Sequence, residues 1–167
     1  KNGARKVKDA YGNNINWPSL VPSKVVSYLE DPRPYVQDRA MQVLVDRASS
    51  AVIALTDLLH ESSSVEARTK AVYALYRIGT SDALAGVRLG MNDKDVQVRV
   101  ASARSAGLAK DVQAVEKLME MVCKDEEAGR RQAATALGQI GDPRAIPALL
   151  VAAQEAKDRF VEHAITY

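Results

Sequence analysis

The sequence predicts an all-α fold, a right-handed α-α superhelix of about five helical hairpins with 31 residues each. Three observations predict it. Ala, Val and Leu dominate while aromatic residues make up 5%, which suits close-packed helices better than β-sandwiches. A short pattern recurs at a constant interval, and its apolar positions follow a helical period. Finally, 167 residues are enough for one short array with a continuous core.

The recurring pattern begins with an apolar or small residue, which is usually followed by Arg. Two variable positions and a small residue come next, and an apolar or small residue lies four positions after that small residue. Its copies begin at Val36, Ala67, Val98 and Gly129, and a partial copy begins at Phe160. The small residues follow one another at intervals of 31: Ala40, Ala71, Ser102, Ala133 and Ala164. Equal intervals of this length predict stacked hairpins, with a small residue wherever neighbouring helices approach closely.

Each unit is predicted to contain two amphipathic helices joined by tight turns. The units span residues 21–48, 49–79, 80–110, 111–141 and 142–167. Residues 1–20 are predicted to be a basic linker from a preceding domain. The last unit is predicted to be truncated, and the chain to be a piece of a longer protein.

Several helix ends are predicted from capping residues. Ser63 and Glu66 form a capping-box pattern before the second helix of unit two. In unit four, Gly141 is placed as a C-cap, and Asp142 followed by Pro143 begins the next helix. The apolar stripe of the preceding helix consists of Gly129, Ala133, Ala136, Leu137 and Ile140. Ala134 lies outside this stripe, so a larger residue there is expected to have almost no effect on stability.

Residues 129–150, GRRQAATALGQIGDPRAIPALL, resemble the HEAT-like repeat that is also found in phycobilisome lyases. The resemblance covers roughly residues 20–167. It implies a solenoid of the HEAT/armadillo type, and it is nearly silent about function because such repeats bind many unrelated partners.

A second resemblance concerns context. Residues 8–20, 31–40 and 162–167 are similar to parts of large planctomycete-type membrane-bound dehydrogenase-like proteins, in which a β-propeller precedes the HEAT segment and a cytochrome c-like domain follows it. This resemblance implies a periplasmic or extracytoplasmic bacterial location. The haem-attachment motif Cys-x-x-Cys-His is absent from the sequence, so any redox chemistry is expected outside this chain.

The residues that usually carry catalysis or bind metals are few. We expect Cys123 to be a small core residue, His60 to lie at a helix C-terminus and His163 to be structural. The acidic run 125–127 lacks the alternating spacing of a calcium loop and is placed at a helix N-terminus. We therefore expect no catalytic site, no cofactor and no metal site.

The charge distribution argues against nucleic acid as a partner. The net charge is +2, and residues 1–24 contribute +4, so the rest of the chain sums to −2. Nucleic-acid binding draws most of its affinity from concentrated Lys and Arg. The longest apolar run, residues 145–153, is too short for the roughly 20 residues of a membrane span.

Arg68, Arg99 and Arg130 occupy the same position of three successive second helices. Loop acids such as Asp93 and Asp125 lie close to them in sequence. We interpret these arginines as a structural ladder that bonds loop carbonyls and carboxylates between units. The alternative is phosphate contact.

The outward strip of the second helices is predicted to line the concave face of the array. It carries the candidate partner-binding residues Gln42, Tyr73, Tyr76, Arg104, Arg131 and Thr135. Tyrosine and arginine are enriched at binding hot spots. The alternative is an ordinary solvated surface.

The sequence as a whole favours a non-catalytic protein-interaction or interdomain scaffold module of a larger bacterial protein. Its expected partner is a neighbouring domain or another polypeptide, with no nucleic acid and no membrane insertion in this segment. Two alternatives stay open: a chromophore-lyase-like protein of the phycobilisome lyase type, and a DNA-binding HEAT protein.

Overall fold

A computed structural model describes residues 8–154 and 159–166 of the chain, and all regular structure within these ranges is helical. In chain order the α-helices are α1 (Pro22–Val25), α2 (Pro34–Asp46), α3 (Val52–Glu61), α4 (Val65–Ile78), α5 (Ser81–Gly90), α6 (Val96–Leu108), α7 (Val115–Lys124), α8 (Glu127–Ile140), α9 (Ile146–Gln154) and α10 (Arg159–Thr166). Short 3-10 turns precede, extend or join them at Trp17–Ser19, Val26–Glu30, Ala48–Ala51, Val112–Ala114 and Pro143–Ala145. The prediction of an all-α fold is confirmed.

The helices form two layers. The even-numbered helices pack on one another in chain order and make the second-helix layer, while the odd-numbered helices make the first-helix layer on the other side. Each odd-numbered helix also packs against the even-numbered helix that follows it. The result is an α-solenoid of helical hairpins with one continuous core between the layers.

Packing is closer in the second-helix layer than in the first-helix layer. Helix α6 lies tightly along α8, whereas α5 and α7 have few direct contacts. Between α7 and the loop that follows α5 there is a groove of about 300 Å³, lined in part by Met91, Lys117 and Met121. Because neighbouring hairpins are spaced more widely on one side, the array curves with the second-helix layer on the inside.

The small residues of the recurring pattern lie where adjacent second helices meet. Ala40, Ala71, Ser102 and Ala133 are fully buried, and Ala164 is half-buried. A Cβ atom on Gly90 would lie 2.3 Å from the Ser102 hydroxyl oxygen, so this part of the core has no spare room. The hydroxyl itself has no hydrogen-bond partner within the described ranges.

Ser102→Ala is expected to raise the free energy of unfolding by about 0.5–2 kcal/mol. The substitution removes a buried, unpartnered polar atom and restores the alanine found at the equivalent position of the four other units. Urea melts measure the change, and Ala71→Ser is the matched reverse substitution, which should destabilise. A loss of stability in Ser102→Ala would show that the hydroxyl is satisfied in solution.

The helix ends follow the predicted capping chemistry with one correction. Gly141 is the C-cap of α8 with φ 73°, and Asp142 caps the next turn by accepting from the backbone N–H of Arg144 at 2.9 Å, as predicted. The predicted capping box at Ser63 is wrong by one residue. Ser64 is the N-cap of α4, and its hydroxyl accepts from the N–H of Ala67 at 3.2 Å.

The apolar stripe predicted for α8 is too narrow. Ala134, which was placed outside it, is only 2% exposed. Helix α8 packs against α7 in its own hairpin and against α6 and α10 on its two flanks. An inner helix of a solenoid is therefore buried on three sides, and a leucine at position 134 would not be neutral.

The described part of the N-terminal segment, residues 8–20, packs on the first hairpin. Trp17 is buried, and its ring meets that of Tyr28 edge to face with centroids 5.2 Å apart. Arg47 donates to the Trp17 carbonyl at 2.8 Å, and Arg33 donates to the Asp9 carbonyl at 2.9 Å. The division at residue 20 and the truncated last unit stay predictions.

Candidate functional site

The second-helix face comprises the side chains that the second-helix layer leaves exposed. Four of its positions recur every 31 residues and therefore lie at the same height on α2, α4, α6 and α8. Gln42 is half-buried, Tyr73 is 37% exposed, and Arg104 and Thr135 are exposed. These predicted residues thus share one face, but the structure places Tyr73 and Arg104 in one groove, Thr135 in another and Gln42 in neither.

The first groove, which we call the tyrosine groove, lies between α4 and α6. It has a volume of about 490 Å³ and is lined by Tyr73, Tyr76, Arg77, Arg104, Ser105 and Leu108. Leu108 is 48% exposed, while Ser105 is 1% exposed and its hydroxyl has no hydrogen-bond partner within the described ranges. The groove therefore offers aromatic and apolar area and two cations to a ligand, while the Ser105 hydroxyl lies buried beneath it.

The two arginines of the tyrosine groove are held differently. Arg77 donates to the side-chain carbonyl oxygen of Gln42 at 2.8 Å, and the amide of Gln42 donates to Asp46 at 2.6 Å. Gln42 therefore positions Arg77 and does not itself line the groove. Arg104 makes no hydrogen bond or ion pair with any described residue, so its guanidinium is available to a ligand.

The second groove lies between α8 and α10 and has a volume of about 540 Å³. Its lining includes the predicted residues Arg131 and Thr135. The guanidinium carbon of Arg131 lies 5.9 Å from the centre of the Phe160 ring, within cation–π range. The Thr135 hydroxyl donates to the Arg131 carbonyl at 3.1 Å, so its hydrogen-bonding capacity is partly used within the helix.

Four further residues line these grooves that the sequence did not predict: Arg77, Leu108, Ser105 and Phe160. Arg77 and Leu108 each lie four residues after a predicted residue, so the helical period carried a signal for both. The sequence gives no signal for Ser105 and Phe160, because their position in a groove depends on how adjacent helices pack.

The second-helix face is positively charged along its middle helices. Arg77, Arg104 and Arg131 are exposed on α4, α6 and α8. The acidic residues of these three helices, Glu66 and Glu127, both lie in a first turn. The middle of the face therefore attracts carboxylates or phosphates and repels cations.

The predicted ladder residues face away from the grooves, into the junctions between units. Arg68 donates to the Asp93 carboxylate through Nε at 2.7 Å and Nη2 at 3.0 Å. Arg99 bonds Asp125 in the same way, with Nε 2.9 Å from Oδ2. In each case the acid belongs to the next hairpin, so these pairs tie neighbouring units together.

The ladder also includes hydrogen bonds to backbone carbonyls, which recur with the period of the hairpins. The backbone carbonyls of Asp31, Ser62 and Asp93 accept hydrogen bonds from Gln37, Arg68 and Arg99 respectively. Gln37 thus takes the role of the arginine in the first unit.

Arg130 departs from this pattern. Its Nε donates to the Val122 carbonyl at 3.0 Å, and its buried Nη2 has no partner within the described ranges. The positions at which an equivalent acid would lie, 155 and 156, are outside those ranges.

The ion pairs shift the pKa values of their members. Burial alone would raise the pKa of Asp93, but hydrogen bonds from Arg68 and from the backbone N–H of Asp95 outweigh it and hold that pKa below its ordinary value. Asp125 behaves in the same way beside Arg99. The hydrogen bonds that Arg68 and Arg99 donate to these acids raise the pKa of both guanidinium groups against the opposing effect of burial.

The remaining candidates for chemistry are dispersed. Cys123 is half-buried on α7, with its sulfur 3.8 Å from the Ala148 carbonyl oxygen, and it lines neither groove. Asp125 of the acidic run is a ladder residue, and His60 lies exposed in the last turn of α3. Across the described ranges, no group of three or more His, Cys, Asp or Glu residues could hold a metal ion.

The described ranges do not contain a helix with the length and apolar character needed to cross a membrane.

Comparisons with known proteins agree with this architecture. The family description for HEAT repeats matches residues 22–94 and 87–167. No curated protein sequence matches the chain significantly.

Two solved structures share the fold. Human deoxyhypusine hydroxylase in complex with glycerol superposes with a TM-score of 0.62 at 21% identity, covering 87% of this chain and 60% of that chain. The complex of CpcE and CpcF of phycocyanin lyase from Nostoc sp. PCC7120 superposes with a TM-score of 0.62 at 22% identity, covering 98% of this chain and 67% of that chain. The chain thus spans about three fifths of the length of the hydroxylase. Because the family match extends from residue 22 to residue 167 over an array of stacked hairpins, this chain belongs to the HEAT repeat family.

Proposed function

We propose that this chain is a non-catalytic protein-interaction module whose second-helix face binds a segment of a partner polypeptide. The observation that carries the proposal is that the tyrosine groove combines two partly exposed tyrosines with two exposed arginines and has no acid among its lining residues. Tyrosine and arginine contribute most of the binding energy in many protein interfaces. The binding of proteins by HEAT repeats in general supports the same function.

Two further features support a scaffold and not an enzyme. The grooves are open and shallow, whereas catalysis needs convergent polar groups in a sheltered cavity. The thiol of Cys123 lies in the first-helix layer, away from both grooves. The likeness to an enzyme and to a lyase complex concerns the fold, since the identities are 21% and 22%.

The proposal extends to the setting of the module. In a larger bacterial protein of the dehydrogenase-like type, the array would orient neighbouring domains and lie outside the cytoplasm. The support for this setting is the resemblance of residues 8–20 and 31–40.

Peptide-library display on the immobilised chain tests the function. We expect selected peptides to lose about tenfold or more in affinity for Arg104→Glu, because hot-spot residues dominate binding. Lys24→Glu is the matched control, since Lys24 is an exposed cation on α1 in the first-helix layer. Circular dichroism melts establish that both variants fold. Selected peptides that bind Arg104→Glu and Lys24→Glu equally well would contradict the proposal.

A second candidate function is that of a chromophore-lyase-like protein. The observation that favours it is the groove between α8 and α10, which is about 540 Å³ and contains an arginine stacked on a phenylalanine. Such a groove has room for a planar conjugated acid, and its arginine would pair with the acid. Titration with phycocyanobilin tests this role: a red-shifted absorption that disappears in Phe160→Ala would support it, and an unchanged spectrum would exclude it.

A further inference from the structure

Three exposed arginines lie on a diagonal across the second-helix face. The repeat of 31 residues fixes their relative heights, because equivalent positions lie level on neighbouring helices. Arg104 is level with Tyr73 on α4. Arg77 is four residues beyond that level on α4, and Arg131 is four residues before it on α8. We call Arg77, Arg104 and Arg131 the arginine diagonal.

The diagonal has a spacing that an extended polypeptide can match. Neighbouring packed helices lie about 8–10 Å apart, and four residues of helix rise about 6 Å. Successive arginine positions are therefore roughly 10–12 Å apart. An extended chain advances about 3.3 Å per residue, so three to four of its residues span each step.

The space beside the first two arginines suits an apolar side chain. Tyr73 and Leu108 line the tyrosine groove together with Arg77 and Arg104, and both expose apolar area there. Ser105 also lines the groove, but its hydroxyl is buried and therefore out of reach of a bound segment.

These observations deepen the proposed function and rest on it. We propose that the second-helix face binds an extended acidic segment of a partner protein, with carboxylates three to four residues apart and an apolar side chain between the first two. The arginine diagonal pairs with the carboxylates, and the tyrosine groove takes the apolar side chain.

Charge and number argue for a protein segment over a nucleic acid. Binding of duplex DNA draws most of its affinity from many phosphate contacts, whereas the diagonal offers three arginines. The chain beyond residue 24 carries a net charge of −2. The apolar part of the tyrosine groove also matches an apolar side chain better than a phosphate backbone.

Fluorescence anisotropy with two synthetic peptides tests the spacing. Both peptides are labelled and have the same composition of glutamate, valine and serine. Each has about 12 residues, which is enough to cross three helices when extended. In the first peptide the glutamates are three to four residues apart with valine between them, and in the second they are adjacent. We expect the spaced peptide to bind about tenfold or more tightly than the clustered one, because both carry the same charge and only one matches the diagonal.

The variants identify the residues responsible. Arg104→Gln and Tyr73→Ala should each weaken binding of the spaced peptide about tenfold, while Lys24→Gln should leave it unchanged. Equal binding of the two peptides, absence of binding by the spaced one, or tighter binding of a DNA duplex or heparin would overturn the inference.

The test separates the inference from the proposed function. If library-selected peptides depend on Arg104 but lack spaced acids, the inference fails and the proposed function stands. If selected peptides ignore Arg104→Glu altogether, the proposed function fails as well.

Discussion

Arg68→Ala is expected to lower the free energy of unfolding by about 3–5 kcal/mol. Arg68 is 2% exposed, and its guanidinium donates twice to Asp93 and once to the Ser62 carbonyl. Removal of the cation leaves the buried Asp93 carboxylate without its counter-charge and the carbonyl without a donor. Urea denaturation followed by circular dichroism measures the loss.

Arg144→Ala is the matched control for this substitution. Arg144 also pairs with an aspartate through two nitrogens, but its side chain is 60% exposed. An exposed pair contributes about 0–1 kcal/mol, so the control should lose far less stability. Similar losses in the two variants would show that burial does not determine the contribution of these pairs.

The Asp93 ion pair also predicts how stability depends on pH. Because the folded pKa of Asp93 lies below its ordinary value of 3.8, its contribution is complete above pH 3.8 and is lost as the pH falls through the lower folded value. Asp93→Asn should therefore lose less stability than the native chain between pH 5 and pH 2. Parallel urea melts across this range test the sign, and identical slopes would contradict it.

Gly107→Ala is expected to destabilise the fold by about 1–3 kcal/mol through overpacking. A Cβ atom at position 107 would lie 2.8 Å from the Ala136 Cα atom and 2.4 Å from the Gln139 side-chain oxygen. The backbone of α8 cannot yield locally, so α6 and α8 would have to separate along their whole contact.

Gly138→Ala should instead raise the free energy of unfolding. Gly138 occupies the same repeat position one unit later, but a Cβ atom there would meet nothing within 4 Å. Alanine is favoured over glycine inside a helix by about 0.5–1 kcal/mol, so this variant should gain stability. Thermal melts of the pair measure the difference, and destabilisation by both substitutions would mean that local helix geometry, and not the interface with α8, requires glycine.

The constant interval between repeats was sufficient to predict the hairpins and their order. Periodicity along the chain determines which residues are equivalent, so Ala40, Ala71, Ser102 and Ala133 were all correctly placed between helices. It does not determine lateral packing. Ala134 was misplaced because a single-helix stripe ignores the two flanking helices. The N-cap at Ser64 was missed by one residue because three consecutive serines offer the same chemistry.

The face was predicted better than the grooves within it. Tyr73, Tyr76 and Arg104 do line one groove, since helical spacing already places them on one strip. The role of Gln42 depends on a hydrogen bond to Arg77 on the next helix, and only the folded array shows that contact. The same holds for Phe160 beside Arg131.

The unequal spacing of the two layers affects how the array can bend. Where Gly107 lies against Ala136, the contact between α6 and α8 is too close to shorten and therefore acts as a pivot line. Across from it, α5 and α7 have few direct contacts, but the Arg99–Asp125 ion pair joins the two units at the same junction. A ligand that spans α4 to α8 and changes the curvature there would therefore act on this ion pair as well as on the spacing of the first-helix layer.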